Sequence, residues 1–115
     1  MQFEPVFLLF FLAAYLLGSI PTAVWIGKIF YKTDVRLHGS GNAGATNVLR
    51  VLGTLPGVVV LIIDAAKGAV AVSLSFLSSH LLLDAQWFSA YQLVLGFFAL
   101  IGHVFPVFAG FKGGK

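Results

Sequence analysis

Three long apolar segments dominate this sequence and restrict what it can fold into. They cover residues 6–30, 51–79 and 93–111, and each is near or above the roughly 20 residues that a helix needs to cross a bilayer. Hydrophobic residues make up 59% of the chain and charged residues only 10%, which is more apolar surface than a small soluble domain can bury. The sequence therefore predicts an all-α, polytopic integral membrane bundle with about three spanning helices.

The positive charges cluster at the ends of these segments. Lys28 lies near the end of the first segment, Lys32, Arg36 and Arg50 lie between the first and second, and Lys112 and Lys115 follow the third. Cytoplasmic loops of membrane proteins collect Lys and Arg, so we expect the amino terminus outside and these loops in the cytoplasm. The cations form no stripe and match no nucleic-acid-binding motif, so no nucleic-acid partner is expected.

The first segment carries the sequence GSIPT at residues 18–22. Pro21 has no N–H and favours a kink, which membrane helices tolerate when neighbouring groups satisfy the freed backbone. Ala14, Gly18 and Thr22 follow one another at intervals of four residues, so they give one small-residue face for close helix packing. We expect one kinked spanning helix over residues 6–30.

A polar, glycine-rich segment, GSGNAGATNVLR, occupies residues 39–50. Unhindered backbone amides, a hydroxyl, carboxamides and a guanidinium together make a receptor for an anionic group. If a helix begins near Ala45, then Ser40, Asn42 and the amides of residues 41–44 lie at its amino terminus, where the helix dipole favours an anion. An ordinary flexible loop is the alternative interpretation.

Two familiar nucleotide-binding motifs are excluded. Gly39, Gly41 and Gly44 match G-x-G-x-x-G, and Asp64 lies near the distance of the ribose-binding acid, but that motif requires a βαβ unit and this one lies between membrane segments. No Lys-Ser or Lys-Thr pair completes a Walker A loop. The chain has no cysteine, and His103 lacks carboxylate companions at ligand spacing. The sequence predicts neither a metal nor a cofactor.

Polar residues also occur inside the second and third segments. Asp64 and Lys67 have the helical spacing that lets opposite charges pair, and Gly68 follows them. Such residues more often line a polar site in a membrane protein, with a structural salt bridge as the alternative. His103 is either part of a site or a hydrogen-bonded packing residue. The stripe to which it belongs consists of Gly96, Ala99, His103, Pro106 and Gly110.

The last residues, Lys112, Gly113, Gly114 and Lys115, begin another anion-binding loop and leave it open. The sequence therefore predicts that residues 1–115 are the amino-terminal part of one longer membrane domain.

Four blocks of sequence, taken in order, resemble the acyl-phosphate:glycerol-3-phosphate acyltransferase family of bacterial membranes (the PlsY type). These blocks are residues 18–23 (GSIPTA), 39–50, 64–68 (DAAKG), and 102–106 (GHVFP) with 111–115 (FKGGK). Together they cover essentially the whole chain.

This resemblance implies an enzyme of the bacterial cytoplasmic (inner) membrane that makes lysophosphatidic acid for phospholipid biosynthesis. It would transfer an acyl group from acyl phosphate to the 1-hydroxyl of glycerol 3-phosphate, without a cofactor. The implied partners are these two substrates, the lipid bilayer and, functionally, the soluble enzyme that makes acyl phosphate. A longer parent with more helices and a further motif is also implied, so activity is expected of that protein and not of these residues alone.

The resemblance and the chemistry of the residues together assign roles. The catalytic candidates are Ser40, Asn42, Asn47 and Arg50. The candidates for binding substrate or phosphate are Gly41, Gly44, Lys67, His103, Lys112, Gly113, Gly114 and Lys115. Asp64 and Gly68 are expected to line the site or to support it.

Two other classes of protein stay open at this point. A transporter or channel would use Asp64, Lys67 and His103 to line an ion or proton path, although no inverted repeat is evident. A non-catalytic membrane subunit would pack through its glycine stripes.

Overall fold

The computed structural model describes residues 5–78 and 85–114, and every regular element within them is helical. The α-helices in chain order are α1 (Val6–Gly18), α2 (Thr22–Tyr31), α3 (Ala45–Leu52), α4 (Thr54–Ser78) and α5 (Phe88–Val104). Short 3₁₀ turns occupy Val35–Leu37, Ala85–Trp87 and Val107–Ala109. The all-α prediction is confirmed.

The described residues include two segments that are long and apolar enough to cross a membrane. These are Thr54–Leu77 and Phe88–Ala109, with mean hydropathies of 2.0 and 1.9. The helices α1 and α2 are bent by 41° relative to each other and would form a third span if they cross as one unit. This agrees with the prediction of about three spans.

The predicted single helix over residues 6–30 is wrong, because the chain forms two helices around Pro21. The first helix ends where the Ser19 N–H bonds to the Tyr15 carbonyl at 2.8 Å. Proline supplies no N–H to the preceding turn, and its ring displaces the carbonyl that would have accepted one. In the turn between the helices, the Ile20 carbonyl accepts the Thr22 N–H at 2.9 Å. The break thus places the Ile20 carbonyl in the turn, outside both helices.

Two other helix boundaries differ from the sequence prediction. The helix expected over residues 51–79 begins at Thr54, because Gly53 has a φ of 108° and separates α3, which ends at Leu52, from α4. Glycine adopts this conformation at no steric cost. The helix expected over residues 93–111 runs from Phe88 to Val104, since Pro106 cannot continue it. Gly110 therefore lies beyond the helix, in a loop, and not on the predicted stripe.

Small residues bring α1 into close contact with α5. A Cβ atom at Gly18 would overlap the Ala99 carbonyl, and one at Gly102 would overlap the Tyr15 carbonyl. Ala14 is fully buried in the same interface. The small-residue packing face predicted for the first segment is confirmed for Ala14 and Gly18, whereas Thr22 lies beyond the break, in α2.

A second core holds the glycine-rich segment at one end of the bundle. Val35, Val48 and Val60 are completely buried there, and Ala23 is nearly so. They come from the first 3₁₀ turn, α3, α4 and α2 respectively. The loop of residues 39–44, which we call the first glycine loop, is therefore fastened to the bundle on both sides.

Gly18→Ala is expected to lower the Tm of the purified protein in detergent, because the added methyl group must separate two helix backbones. Overpacking of this kind costs about 1–3 kcal/mol. Gly68→Ala is the matched control, since nothing lies within 4 Å of its added Cβ and alanine is the better helix former by up to about 1 kcal/mol. Equal changes in Tm for the two variants would contradict the close contact between α1 and α5.

Candidate active site

The first glycine loop has a backbone conformation that requires glycine at two positions. Gly39 and Gly41 have φ values of 56° and 77°, in the region that side chains other than glycine rarely adopt. The Gly41 N–H bonds to the His38 carbonyl at 2.9 Å and closes the turn. The predicted helix start is confirmed, since α3 begins at Ala45 directly after the loop.

The Asn47 side chain holds this loop in shape through hydrogen bonds to its backbone and to the residues before it. Its side-chain oxygen accepts the Ser40 N–H at 3.0 Å, and its Nδ2 donates to the carbonyls of Val35 (2.8 Å) and His38 (3.1 Å). The residue is only 1% exposed. Sequence reasoning placed Asn47 among the catalytic candidates, whereas in the structure its carboxamide is fully engaged by the backbone that carries Ser40.

Ser40, Asn42 and Arg50 are placed differently within the segment. Ser40 is exposed, and its Oγ accepts the Asn42 N–H at 3.2 Å. The Asn42 side-chain oxygen is buried and accepts no hydrogen bond from the described residues. Arg50 is exposed in the last turn of α3. The loop therefore presents a hydroxyl to solvent, while the carboxamide points into the protein.

The loop of residues 110–114, the second glycine loop, rests against the first. The position of a Cβ on Gly114 is 3.5 Å from the Ala43 carbonyl oxygen, and that of a Cβ on Gly44 is 3.7 Å from the Gly114 Cα. The Gly113 N–H bonds to the Val104 carbonyl at 3.1 Å and fastens the second loop to the end of α5. Lys112 is exposed, and Lys115 lies outside the described residues. The structure thus brings both predicted anion-binding segments together.

The predicted Asp64–Lys67 pair is present, and Lys67 also contacts the break between α1 and α2. The Lys67 Nζ lies 3.0 Å from the Asp64 Oδ1, but off the direction of a hydrogen bond. Its directed hydrogen bond goes to the Ile20 carbonyl at 2.7 Å. Lys67 is only 8% exposed, so its charge is enclosed by these two partners.

His103 lies between this pair and the second glycine loop. Its Nε2 is 2.5 Å from the position that a Cβ on Gly114 would take. It borders a small cavity of about 10 Å³ together with Asp64 and Lys67, which is room for about one water molecule. Residues from all four sequence blocks line this cavity: Ile20, Pro21, Thr22, Ala43, Asp64, Lys67, His103, Pro106, Gly113 and Gly114.

Two larger cavities adjoin the small one. A polar cavity of about 430 Å³ is lined by Asp34, Arg36, Leu37, Gly41, Ala43, Lys112 and Gly113. An apolar cavity of about 440 Å³ is lined by Gly18, Leu61, Asp64, Ala65, Lys67, Gly68, Val72, Gly96, Ala99, Leu100 and His103. The predicted site residues Gly68 and His103 therefore border apolar space. Among the described residues no group of three His, Cys, Asp or Glu side chains is arranged to hold a metal ion.

Sequence reasoning missed the ion pair between Asp34 and Arg36, which forms one wall of the polar cavity. The Arg36 Nε and Nη2 each donate to one carboxylate oxygen at 2.9 Å, and the Arg36 N–H donates to Oδ1 at 3.0 Å. The guanidinium hydrogen bond lowers the pKa of Asp34 from 3.8 to about 2 and raises the pKa of Arg36. The short Asp-x-Arg spacing before the first glycine loop was the available signal.

The chain belongs to the glycerol-3-phosphate acyltransferase family, because residues 8–115 match the profile of that family. It is similar to the glycerol-3-phosphate acyltransferase of Streptococcus thermophilus, with 50% identity over 111 residues that cover 94% of this chain and 47% of the relative. It is 54% identical over 104 residues to that of Listeria monocytogenes, covering 90% of this chain and 50% of the relative. The chain spans about half the length of the curated relatives it matches.

The fold resembles crystal structures of PlsY, described as an integral membrane glycerol 3-phosphate acyltransferase. The glycerol 3-phosphate form matches with a TM-score of 0.76 and 39% identity, over 95% of this chain and 51% of that one. The lysophosphatidic acid form matches with a TM-score of 0.70 and 38% identity, over 95% and 50% of the two chains. The family resemblance and the membrane-protein class predicted from the sequence are confirmed.

Because Asp34 has a lowered pKa in the folded protein, its contribution to stability should depend on pH. The ionised carboxyl stabilises the folded state fully above about pH 4, and this contribution is lost as the pH falls towards about 2. Asp34→Asn should lower the Tm near neutral pH. The loss in the free energy of unfolding should be that of a partly exposed ion pair, about 1 kcal/mol or less. The difference in Tm between variant and wild type should shrink as the pH falls. A difference that does not vary with pH would contradict this assignment.

Proposed function

We propose that the intact protein transfers the acyl group of acyl phosphate to the 1-hydroxyl of glycerol 3-phosphate, giving lysophosphatidic acid and inorganic phosphate. The observation that carries the proposal is the contact between the two glycine loops at Gly114, Ala43 and Gly44. A reaction between two phosphate-bearing substrates needs two adjacent anion sites, and each loop offers backbone amides with a nearby cation. Membership of the family supports this assignment, whereas nothing in the comparisons supports a transporter.

Glycerol 3-phosphate fits the polar cavity best. Its volume of about 430 Å³ lies in the usual range for small-molecule sites. Arg36 and Lys112 supply positive charge to its lining, and Gly41 and Gly113 contribute backbone from both loops. By family resemblance, Gly114 and Lys115 would complete the phosphate site. The matched PlsY structure in its glycerol 3-phosphate form supports this choice of substrate.

The acyl chain fits the apolar cavity between α4 and α5. Gly68 of α4 and Gly96 of α5 line it without side chains, and Leu61 and Leu100 provide hydrocarbon walls. This places the chain on the membrane side of the glycine loops and the phosphates on the polar side.

The chemistry depends on positioning, because acyl phosphate is already an activated anhydride. The 1-hydroxyl oxygen bonds to the acyl carbon while the bond from that carbon to the phosphate oxygen breaks, and the hydroxyl proton passes to the departing phosphate. Ser40 and Asn42 position or polarise the reacting groups, and Arg50 neutralises developing phosphate charge. Asn47 acts on Ser40 through the backbone.

Ser40→Ala and Arg50→Ala should each lower kcat/KM by about 100- to 1,000-fold, the usual effect of removing one stabilising donor. The measurement is lysophosphatidic acid formed from acyl phosphate and glycerol 3-phosphate by membranes carrying the intact protein. Ser73→Ala is the control, because this serine is exposed on α4 and bonds only within its own helix, to the Ala69 carbonyl. Near-normal turnover by both site variants would refute the assignment. Product formed from acyl-CoA or acyl carrier protein would refute the choice of donor.

Gly114→Ala is expected to raise the KM for glycerol 3-phosphate more than it lowers kcat. The new methyl group would meet the His103 imidazole, a side chain that can move aside, so the protein should still fold. Gly113→Ala is the informative comparison, because its methyl group would overlap the His103 carbonyl, which cannot yield without moving α5. Steady-state kinetics with Tm values separate the two effects. A kcat loss with unchanged KM for Gly114→Ala would contradict a role in substrate binding.

We also propose that the protein lies in the bacterial cytoplasmic membrane with its amino terminus outside and both glycine loops in the cytoplasm. The placement of Arg36 and Lys112 around one cavity supports this, since a cation that precedes the first glycine loop and one within the second then share one side of the membrane. The donor implies a functional link to the soluble enzyme that makes acyl phosphate. That residues 1–115 are the amino-terminal part of one acyltransferase domain stays a proposal.

A further inference from the structure

We propose that Lys67 is a positioning residue that holds the break between α1 and α2 against α4, and that it does not bind phosphate. The sequence alone suggested a phosphate-neutralising cation. The contacts of Lys67 favour the other role, which for catalysis rests on the function proposed above.

The first observation is that Lys67 is already occupied. Its side chain is 8% exposed, and its ammonium group donates to the Ile20 carbonyl at 2.7 Å and lies 3.0 Å from the Asp64 carboxylate. A phosphate would have to displace a carboxylate that neutralises the cation and a carbonyl that receives its directed bond. Lys112 lines the larger polar cavity, is exposed and pairs with no acid among the described residues, whereas Arg36 in the same wall is already paired with Asp34.

The second observation is what the bond to Ile20 accomplishes. The carbonyl ends of α1 carry the negative end of the helix dipole, and Pro21 removes a backbone donor where α2 begins. The Ile20 carbonyl accepts the Thr22 N–H, and because a carbonyl oxygen has two acceptor positions and a bilayer supplies no water, the protein can place a second donor there. Lys67 supplies it from 47 residues away in the sequence, and Asp64 makes a buried cation tolerable there.

The third observation is what this contact positions. Ile20 and Lys67 form one side of the small cavity whose other walls include Ala43 of the first glycine loop and Gly114 of the second. If the break moves away from α4, the surface on which both loops rest changes shape. Lys67 therefore sets the two loops relative to each other, while each loop keeps its own anion-binding groups.

A double-mutant cycle with Lys67→Met, Asp64→Asn and the double variant tests this in the full-length membrane protein. Lys67→Met keeps the length of the side chain but removes both contacts, and it should lower kcat by about 100-fold, as misplacement of reacting groups by about 1 Å does. The KM for either substrate should stay within about twofold of wild type, because the groups that bind the substrates before the reaction are still present. Lys28→Met is the control, because Lys28 is half exposed and lies 3.9 Å from its nearest acid, Asp34.

Asp64→Asn distinguishes the two roles of Lys67. It preserves the donor to Ile20, so the positioning role predicts a much smaller loss of kcat and an unchanged KM. A phosphate ligand would instead bind its anion more tightly once the competing carboxylate is gone. A lowered KM in Asp64→Asn, or a raised KM with normal kcat in Lys67→Met, would overturn the proposal.

The stability part of the cycle does not depend on the proposed reaction. Each single variant leaves one buried group unpaired and should lower the Tm by several degrees, while the double variant should lose less than the sum. Its kcat should stay low, because the bond to Ile20 is still missing; it also serves as the kinetic test if Lys67→Met does not accumulate. Additive Tm losses would overturn the pairing of Lys67 with Asp64, on which the positioning role depends. If the wild-type protein lacks acyltransferase activity while the variants still show coupled Tm losses, only the proposed function is refuted.

Discussion

The hydrogen bond from the Lys67 Nζ to the Ile20 carbonyl joins α4 to a turn that lies 47 residues earlier. Its importance follows from the solvent, because a backbone group in a bilayer must find its partner within the protein. At the proline break the Ile20 carbonyl accepts the Thr22 N–H within the turn and the Lys67 Nζ from α4, so both of its acceptor positions are used. The charge of that donor in turn requires Asp64 one helical turn away. The break, the ion pair and the space between the glycine loops are consequently one structural unit.

A similar dependence shapes the first glycine loop. Its conformation relies on positive φ at Gly39 and Gly41 and on Asn47, whose carboxamide makes three hydrogen bonds to backbone groups of the surrounding turn. These bonds are made without any substrate. An anion site whose donors are already in place loses little free energy to rearrangement when charge develops.

Features that depend on local sequence could be predicted, and those that depend on distant partners could not. The apolar segments predicted the helices, and the spacing of Ala14, Gly18 and Thr22 predicted a packing face. The i, i+3 spacing predicted the Asp64–Lys67 pair. Pro21, however, gives a kink or a full break depending on what lies beside it, and its neighbour comes from α4. Asn47 was expected at the reaction itself, because its carbonyl partners become apparent only once the loop is folded.

The three cavities explain why the same residues recur throughout the site. The polar and small cavities share Ala43 and Gly113, and the small and apolar cavities share Asp64, Lys67 and His103. The space therefore changes from polar to apolar across a constriction of about 10 Å³, too narrow for a hydrocarbon chain. Under the proposed function, the acyl chain stays on the membrane side and glycerol 3-phosphate on the other. Their reacting ends would then meet at the constriction, beside the one buried ion pair found in the described residues. Because Lys67 is held there by Asp64 and Ile20, it can shape the passage without binding the phosphate of either substrate.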